Sequence, residues 1–240
     1  MPGVMKRRDL ILGGLAAGAA LALPGRVLAR AAQDGALTQD FDAAFGLNTA
    51  PQVLPVEPPL PTSIAANPLY DRKLVGIAQR ELERAGAQVW RRDIVGIADF
   101  ARASTLPRFH FVNLENGSIR SFLVSHGRGS DPEHSGFLHQ FSGIPGSEAT
   151  SRGAYLTAEW YKGKYGTSIR LGGVDGDNSR ALDRAIVMHA AWYANPDMLD
   201  KWGKLGRSDG CFAMGESDFN EALWHLSGGR LLFADRLGIV

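Results

Sequence analysis

The sequence predicts a mainly β domain with a few peripheral helices. Three observations carry that reading. Glycine is frequent, at 29 of 240 residues, which points to many turns. Asn116-Gly117 sits between two apolar runs, the strongest short signal for a β-hairpin. Further short apolar runs of strand length follow, with no internal repeat and no heptad pattern to compete with them.

The elements can be placed in order. Asn67-Pro68 reads as the N-cap and first residue of a helix. Leu74, Ile77, Ala78, Leu82 and Ala85 follow at helical spacing, and Gly86 is the expected C-cap. The apolar segment Ile94 to Phe100 reads as a second short helix. Phe109 to Leu114 and Ile119 to Ser125 form the two arms of the hairpin around Glu115-Asn116-Gly117-Ser118. Residues 127–153 are a long loop rich in Gly, Ser and Pro, a length that marks a functional segment or a mistaken assignment. Strands are expected at Ala154–Ala158, Thr167–Leu171, Ile186–Trp192 and Arg230–Phe233. Ser217 is placed to cap a last helix carrying Phe219, Ala222, Leu223 and Leu226, ended by Gly228-Gly229.

Composition excludes several classes. Hydrophobic residues are 45% and charged residues 21%, near the globular average. A wholly disordered chain, a collagen and a multi-span membrane protein are excluded. The net charge of +1 hides an asymmetry. Residues 1–31 hold Lys6, Arg7, Arg8, Arg26 and Arg30 against Asp9, and without them 21 basic residues face 24 acidic ones. A mildly acidic body argues against nucleic acid as a partner. The single cysteine excludes an intramolecular disulfide.

The N-terminus reads as an address. Lys6-Arg7-Arg8-Asp9 precedes an uncharged apolar run from Leu10 to Leu23, and Ala29-Arg30-Ala31 offers small residues for cleavage. That run fits a signal segment and is short of the roughly 20 residues a membrane span needs. Residues 1–31 are therefore expected to be a signal peptide, leaving no stable membrane span in the mature chain. The paired arginines resemble a twin-arginine export signal, with an ordinary secretory signal as the alternative. Both imply the export machinery as a partner and a periplasmic location. Residues 32–67 read as a linker, with Pro51, Pro55, Pro58, Pro59 and Pro61 favouring extended geometry. The catalytic domain is then expected over 68–240.

Cys211 is the residue that carries chemistry. It lies in Gly206-Arg207-Ser208-Asp209-Gly210-Cys211-Phe212. A lone cysteine is most often a small buried hydrophobe, but a free thiol in an exported protein is exposed to oxidation. Glycines and Ser208 beside it suggest a turn that presents sulfur next to backbone N–H groups. Arg207 suggests a positive potential that would hold the thiol below its ordinary titration range. These are the requirements of a nucleophile with an oxyanion site. Among six histidines, His189 lies in an apolar, strand-like run that would hold a base rigidly. His110 reads as a hairpin residue, His225 as a helix-face residue, and His134 and His139 as solvated loop residues. His126, His134 and His139 match no zinc spacing, and no metal or cofactor is expected. Asp175-Gly176-Asp177-Asn178 reads as a plain turn, because an EF-hand would need Glu where Ile186 stands.

The ordered segments resemble a known family. They are Ser125-His126-Gly127-Arg128-Gly129-Ser130, Phe141-Ser142-Gly143, Ser151-Arg152-Gly153-Ala154-Tyr155, Tyr161 to Gly166, Ser168 to Leu171, Arg184 to His189 and Gly206 to Cys211. The set is similar to the YkuD-type L,D-transpeptidase catalytic domain, in its divergent murein branch. That resemblance implies a β-sandwich-like domain acting on peptidoglycan stem peptides, donor and acceptor. It implies Cys211 as nucleophile through a thioester and His189 as base. The Ala190 carbonyl would orient the imidazole, and the backbone N–H groups of Gly210 and Cys211 would form the oxyanion site. It implies carbapenems as acylating inhibitors. Ser208, Arg207, His126, Arg128 and Asp209 are candidate substrate-binding residues. Two departures stand out. The better-known branch has His before the Gly-Cys pair, where this chain has Asp209, and a polar residue two beyond the cysteine, where this chain has Ala213. Two readings compete with a transferase: a carboxypeptidase or endopeptidase using the same dyad, and a catalytically silent wall-binding module.

Overall fold

The computed structural model describes residues 67–238. The expected signal peptide and nearly all of the proline-rich linker lie outside the described residues.

Among the described residues the strands are β1 (Ile94–Asp99), β2 (Phe109–Asn113), β3 (Ile119–Phe122), β4 (Gly153–Gly163), β5 (Gly166–Gly173), β6 (Val187–Ala190), β7 (Phe212–Met214) and β8 (Leu231–Asp235). They form one mixed sheet in the order β3-β2-β1-β8-β4-β5-β6-β7. The β1–β8 and β6–β7 pairs are parallel and the others antiparallel. Beyond β3 the chain meets the far end of the sheet again. Ser125 bridges Ala213 and Gly127 bridges Ser208, so the sheet nearly closes on itself. The mainly β expectation holds.

Among the described residues three α-helices accompany the sheet: α1 (Pro68–Ala85), α2 (Asp197–Trp202) and α3 (Glu216–Leu226). Helix α1 begins as its sequence dictates. Asn67 Oδ1 accepts from the backbone N–H of Leu69 and Tyr70 at 3.1 and 3.2 Å, a cap worth about 1 kcal/mol. Gly86 ends it at φ +60°, where a side chain would be strained. Leu74, Ile77, Ala78, Leu82 and Ala85 pack on Val95, Ile97, Val112, Leu231 and Phe233. The opposite face of the sheet packs Ala98, Phe109, Tyr155, Leu171, Met188 and Phe212 with Phe219 and Leu226 of α3.

That double burial explains the one element read wrongly in kind. Ile94–Asp99 is strand β1, not a helix, and all six of its residues are buried. A strand covered on both faces shows a continuous apolar run, which periodicity cannot tell from a helix. Other differences are of boundary. Strand β4 runs well past Ala158, and α3 is capped at Gly215, with Ser217 inside its first turn. The hairpin stands as expected, with Gly117 at φ +71°.

Two buried polar clusters tie the sheet together. Tyr70 donates to Asp99 Oδ2 at 2.8 Å and meets His110 Nε2 at 3.0 Å, while His110 Nδ1 meets Ser121 Oγ at 2.8 Å. Arg108 is fully buried and donates to the Val124 and Arg102 carbonyls. Its Nη2 also lies 2.7 Å from His126 Nδ1, and His126 Nε2 lies 3.3 Å from Asp131. Because Arg108 only donates, His126 carries its proton on Nε2.

Burial holds His110 and His126 neutral, pulling each down to about 3. Folded-state values below the ordinary 6.5 have a fixed consequence. Between pH 6.5 and 3 the unfolded chain binds protons that the folded one refuses. Stability is therefore full above pH 6.5 and falls as pH drops through that window, by roughly 1.4 kcal/mol per pH unit for each histidine. Urea unfolding at pH 7.0 and pH 4.5 is expected to differ by a few kcal/mol, and equal stability at the two pH values would contradict the assignment.

Candidate active site

Strands β6 and β7 bring the two expected residues together. They run parallel, with Met188 beside Phe212 and His189 beside Ala213. Met188 and Phe212 point into the α3-side core. Alternation along a strand then puts His189, Ala213 and Cys211 on the opposite face. Cys211 precedes β7 and lies diagonal to His189. Both are enclosed, at 5% and 2% exposure.

His189 is oriented by its own strand. Its Nδ1 donates to the Ala190 carbonyl at 2.9 Å. Because a carbonyl only accepts, the neutral ring carries its proton on Nδ1 and leaves Nε2 as a base. Burial lowers the imidazole from its ordinary value, against the opposing pull of the Ala190 carbonyl and the Asp209 carboxylate. The Tyr165 ring, at the β4–β5 turn, stacks on the imidazole with centroids 4.6 Å apart and planes 18° from parallel.

The thiol differs from its sequence expectation. Burial pushes the Cys211 thiol up, and Asp209 adds to the rise, while the Val187 N–H and Arg184 pull it down. The resting pair is therefore a neutral thiol beside a neutral imidazole. Arg207, expected to supply the positive potential, turns away. Its guanidinium donates to the carbonyls of Asp131 and Pro132, the latter at 3.0 Å. Sγ instead faces the Ala185 carbonyl at 3.7 Å. Ala185 itself sits at φ +51°, a left-handed position costing a non-glycine residue roughly 1–2 kcal/mol. The bonds from Ile186 N to Ala181 O and from Ala185 N to Leu182 O close the turn that holds it there.

The turn before Cys211 is built by Ser208 and two glycines. Ser208 Oγ donates to the Cys211 carbonyl at 2.6 Å and accepts from Gly210 N–H at 3.2 Å. The Gly210 N–H expected in an oxyanion site is thus engaged by Ser208 in this state. Gly210 stands at φ +110°, and a Cβ there would lie 2.8 Å from the Ala149 carbonyl. A Cβ on Gly127 would lie 2.3 Å from the Glu148 carbonyl and 2.7 Å from Gly210 Cα. Neither position tolerates a side chain. The His126 backbone carbonyl accepts from Ser208 N–H at 2.9 Å, while its ring points inward to Arg108 and Asp131. His126 is a buried support of the turn and not a substrate contact. Arg128 and Asp209 are exposed and pair with each other at 3.3 Å, Arg128 also holding Glu148. His134, expected to be solvated, is half-buried and bonded to the Leu205 carbonyl, whereas His139 is exposed beside Ser135.

A family model described as L,D-transpeptidase catalytic domain matches residues 68–234. The chain belongs to this family. Solved structures similar to this L,D-transpeptidase-family chain include an L,D-transpeptidase from Mycobacterium smegmatis, at 14% identity and a TM-score of 0.36, covering 60% of this chain and 58% of that one. Another is L,D-transpeptidase 3 from Mycobacterium tuberculosis in complex with a faropenem-derived adduct, at 14% identity and 0.37, covering 60% of each chain. A third is the L,D-transpeptidase from Xylanimonas cellulosilytica, at 14% and 0.37, covering 65% and 68%. The chain thus spans about three fifths of the mycobacterial proteins. No curated protein matches it.

Two residues of this L,D-transpeptidase-family site were not singled out from sequence. Tyr165 sits at a hairpin tip, where nothing local shows that its ring reaches His189. Arg184 opens the Arg184–His189 segment, but only the fold brings its guanidinium to the Cys211 turn. A Cβ built on Gly210 would stand 3.1 Å from its Nη2.

Proposed function

We propose that the chain is a cysteine-dependent L,D-transpeptidase that cross-links peptidoglycan stem peptides outside the cytoplasm. The observation that carries this reading is the parallel register of β6 and β7. It sets an oriented imidazole, with Nε2 free to act, on the same strand face as the only thiol. The family membership supplies the substrate class.

The chemistry follows from the neutral pair. A turn of the Cys211 side chain away from Ala185 brings the thiol toward His189. Nε2 takes the thiol proton as Sγ bonds to the donor carbonyl carbon, and the carbonyl electron pair becomes an oxyanion. The Cys211 N–H is the proposed backbone donor for it, joined by Gly210 N–H if Ser208 releases it. His189 then returns the proton to the departing amine, which leaves as the thioester forms. An acceptor amine reverses the sequence, with His189 taking its proton and the thiolate leaving. Arg128 and Asp209 are exposed beside this turn and are proposed substrate contacts, whereas Ser208, buried with its hydroxyl spent on the Cys211 carbonyl, shapes the turn. Water as the final acceptor would give a carboxypeptidase or endopeptidase.

Purified protein with defined muropeptides, read by mass spectrometry, tests the proposal. New cross-linked dimers are expected. Shortened stems alone would make it a hydrolase, and unchanged muropeptides would leave only a wall-binding role. Export is proposed to use the paired arginines. Replacing Arg7 and Arg8 with lysine is expected to leave the protein in the cytoplasm, and normal export of that variant would assign it to the general secretory route.

A further inference from the structure

Arg184 combines two features that are costly apart and useful together. It is half-buried, and its terminal nitrogens are fully used. Nη1 donates to the Ser142 carbonyl at 2.8 Å and to Ser151 Oγ at 2.7 Å. Nη2 donates to the Ala149 carbonyl at 2.6 Å and to Ser147 Oγ at 3.4 Å. All four acceptors are neutral. Among the described residues no carboxylate pairs with it, in contrast to Arg84, Arg128, Arg152 and Arg230. A guanidinium taken partly out of water without a counter-charge lowers stability unless something else uses the charge.

The place where the charge is delivered is the Cys211 turn. The Gly210 Cα rests against the Arg184–Ala149 pair so closely that a Cβ would meet both, at 3.1 and 2.8 Å. The next residue, Ala185, offers the carbonyl that Sγ faces. Among the described residues the charged and titratable groups around the thiol are few. His189 on β6 is neutral, Tyr155 on β4 and Tyr193 after β6 keep their phenol protons, and Asp209 on the turn is the one anion, held by Arg128. Arg184 is the cation that opposes it.

We propose that Arg184 is a positioning residue of the active site, whose fork clamps the 142–151 segment against Gly210 and whose unpaired charge is the standing counter-charge for the anion that forms on sulfur and on the substrate oxygen. This rests on Cys211 being the nucleophile. With its four terminal N–H groups occupied, Arg184 acts through the turn and through its field, without gripping substrate.

The clamp and the charge separate by substitution. Arg184→Gln removes the charge and part of the fork. Arg184→Lys keeps the charge as a single point and loses the fork geometry. The readouts are the pH midpoint of Cys211 alkylation by iodoacetamide, the rate of thioester formation with a stem tetrapeptide, and the thermal midpoint as a check of folding. Arg184→Gln is expected to raise the alkylation midpoint by about half to one pH unit and to slow thioester formation roughly 10–100-fold. Arg184→Lys is expected to keep the midpoint and still slow thioester formation about tenfold. A folded Gln variant with the wild-type midpoint overturns the charge role. A Lys variant with the wild-type rate overturns the clamp, and remains decisive if the Gln variant does not fold. Alkylation reads the thiol itself, so it reports on Arg184 even if a Cys211→Ala variant went on forming dimers, the result that would remove the nucleophile assignment instead.

Discussion

Replacing Cys211 with alanine is expected to abolish dimer formation, lowering turnover by roughly 10⁴-fold or more. No other thiol exists in the chain to take over. The fold should survive, because the thiol makes only weak polar contacts, with the Ala185 carbonyl at 3.7 Å and the Val187 N–H, and alanine fills most of its place. Loss of product with an unchanged thermal midpoint is therefore the expected pair of results. Dimers formed at the wild-type rate by the alanine variant would remove the thioester route.

Replacing His189 with alanine is expected to slow turnover by roughly 10²–10⁴-fold, the usual contribution of a general base. The geometry sharpens this expectation. Sequence alone suggested an activated thiolate, titrating below an ordinary thiol. Burial reverses that, so alkylation of wild-type Cys211 should show a midpoint above that of a free thiol. The base in turn titrates below the ordinary histidine value because it is buried. The acid limb of kcat/KM should accordingly fall below pH 6.5, since Nε2 accepts a proton only while the ring is neutral. An acid limb at or above pH 6.5, or a wild-type rate in the alanine variant, would contradict the assignment. His126 offers no substitute, since both its ring nitrogens are engaged by Arg108 and Asp131.

What the sequence showed of this molecule follows the range of its signals. Asn67, Pro68 and Gly86 mark a helix through bonds made within a few residues, and Asn116-Gly117 marks a hairpin in the same way. Those elements were legible. Strand β1 was not, because burial on both faces erases the alternation that identifies a strand. Strand β7 was missed because its three residues carry no period at all. At the site, Cys211 and His189 were singled out from the chemistry of their residue types and from the family likeness, and the β6–β7 register sets them on one strand face. Arg207 shows the limit of nearness in sequence: four positions from the thiol, its side chain leaves for the 131–132 carbonyls. Arg184 shows the converse, since only the β5–β6 connection and the 142–151 loop together carry it to Gly210. His126 was read as a substrate-binding candidate because nothing in Ser-His-Gly-Arg reveals that Arg108 waits beneath it.

The central claim is a covalent bond at one atom. Wild-type protein incubated briefly with a stem tetrapeptide, quenched in acid and digested, should yield a peptide spanning Cys211 that carries the acyl group, labile to hydroxylamine as a thioester is. Adding acceptor before the quench should discharge it into dimer. Dimer formation with no acyl group on the Cys211 peptide at any time point, or an acyl group found on another residue, would contradict the account.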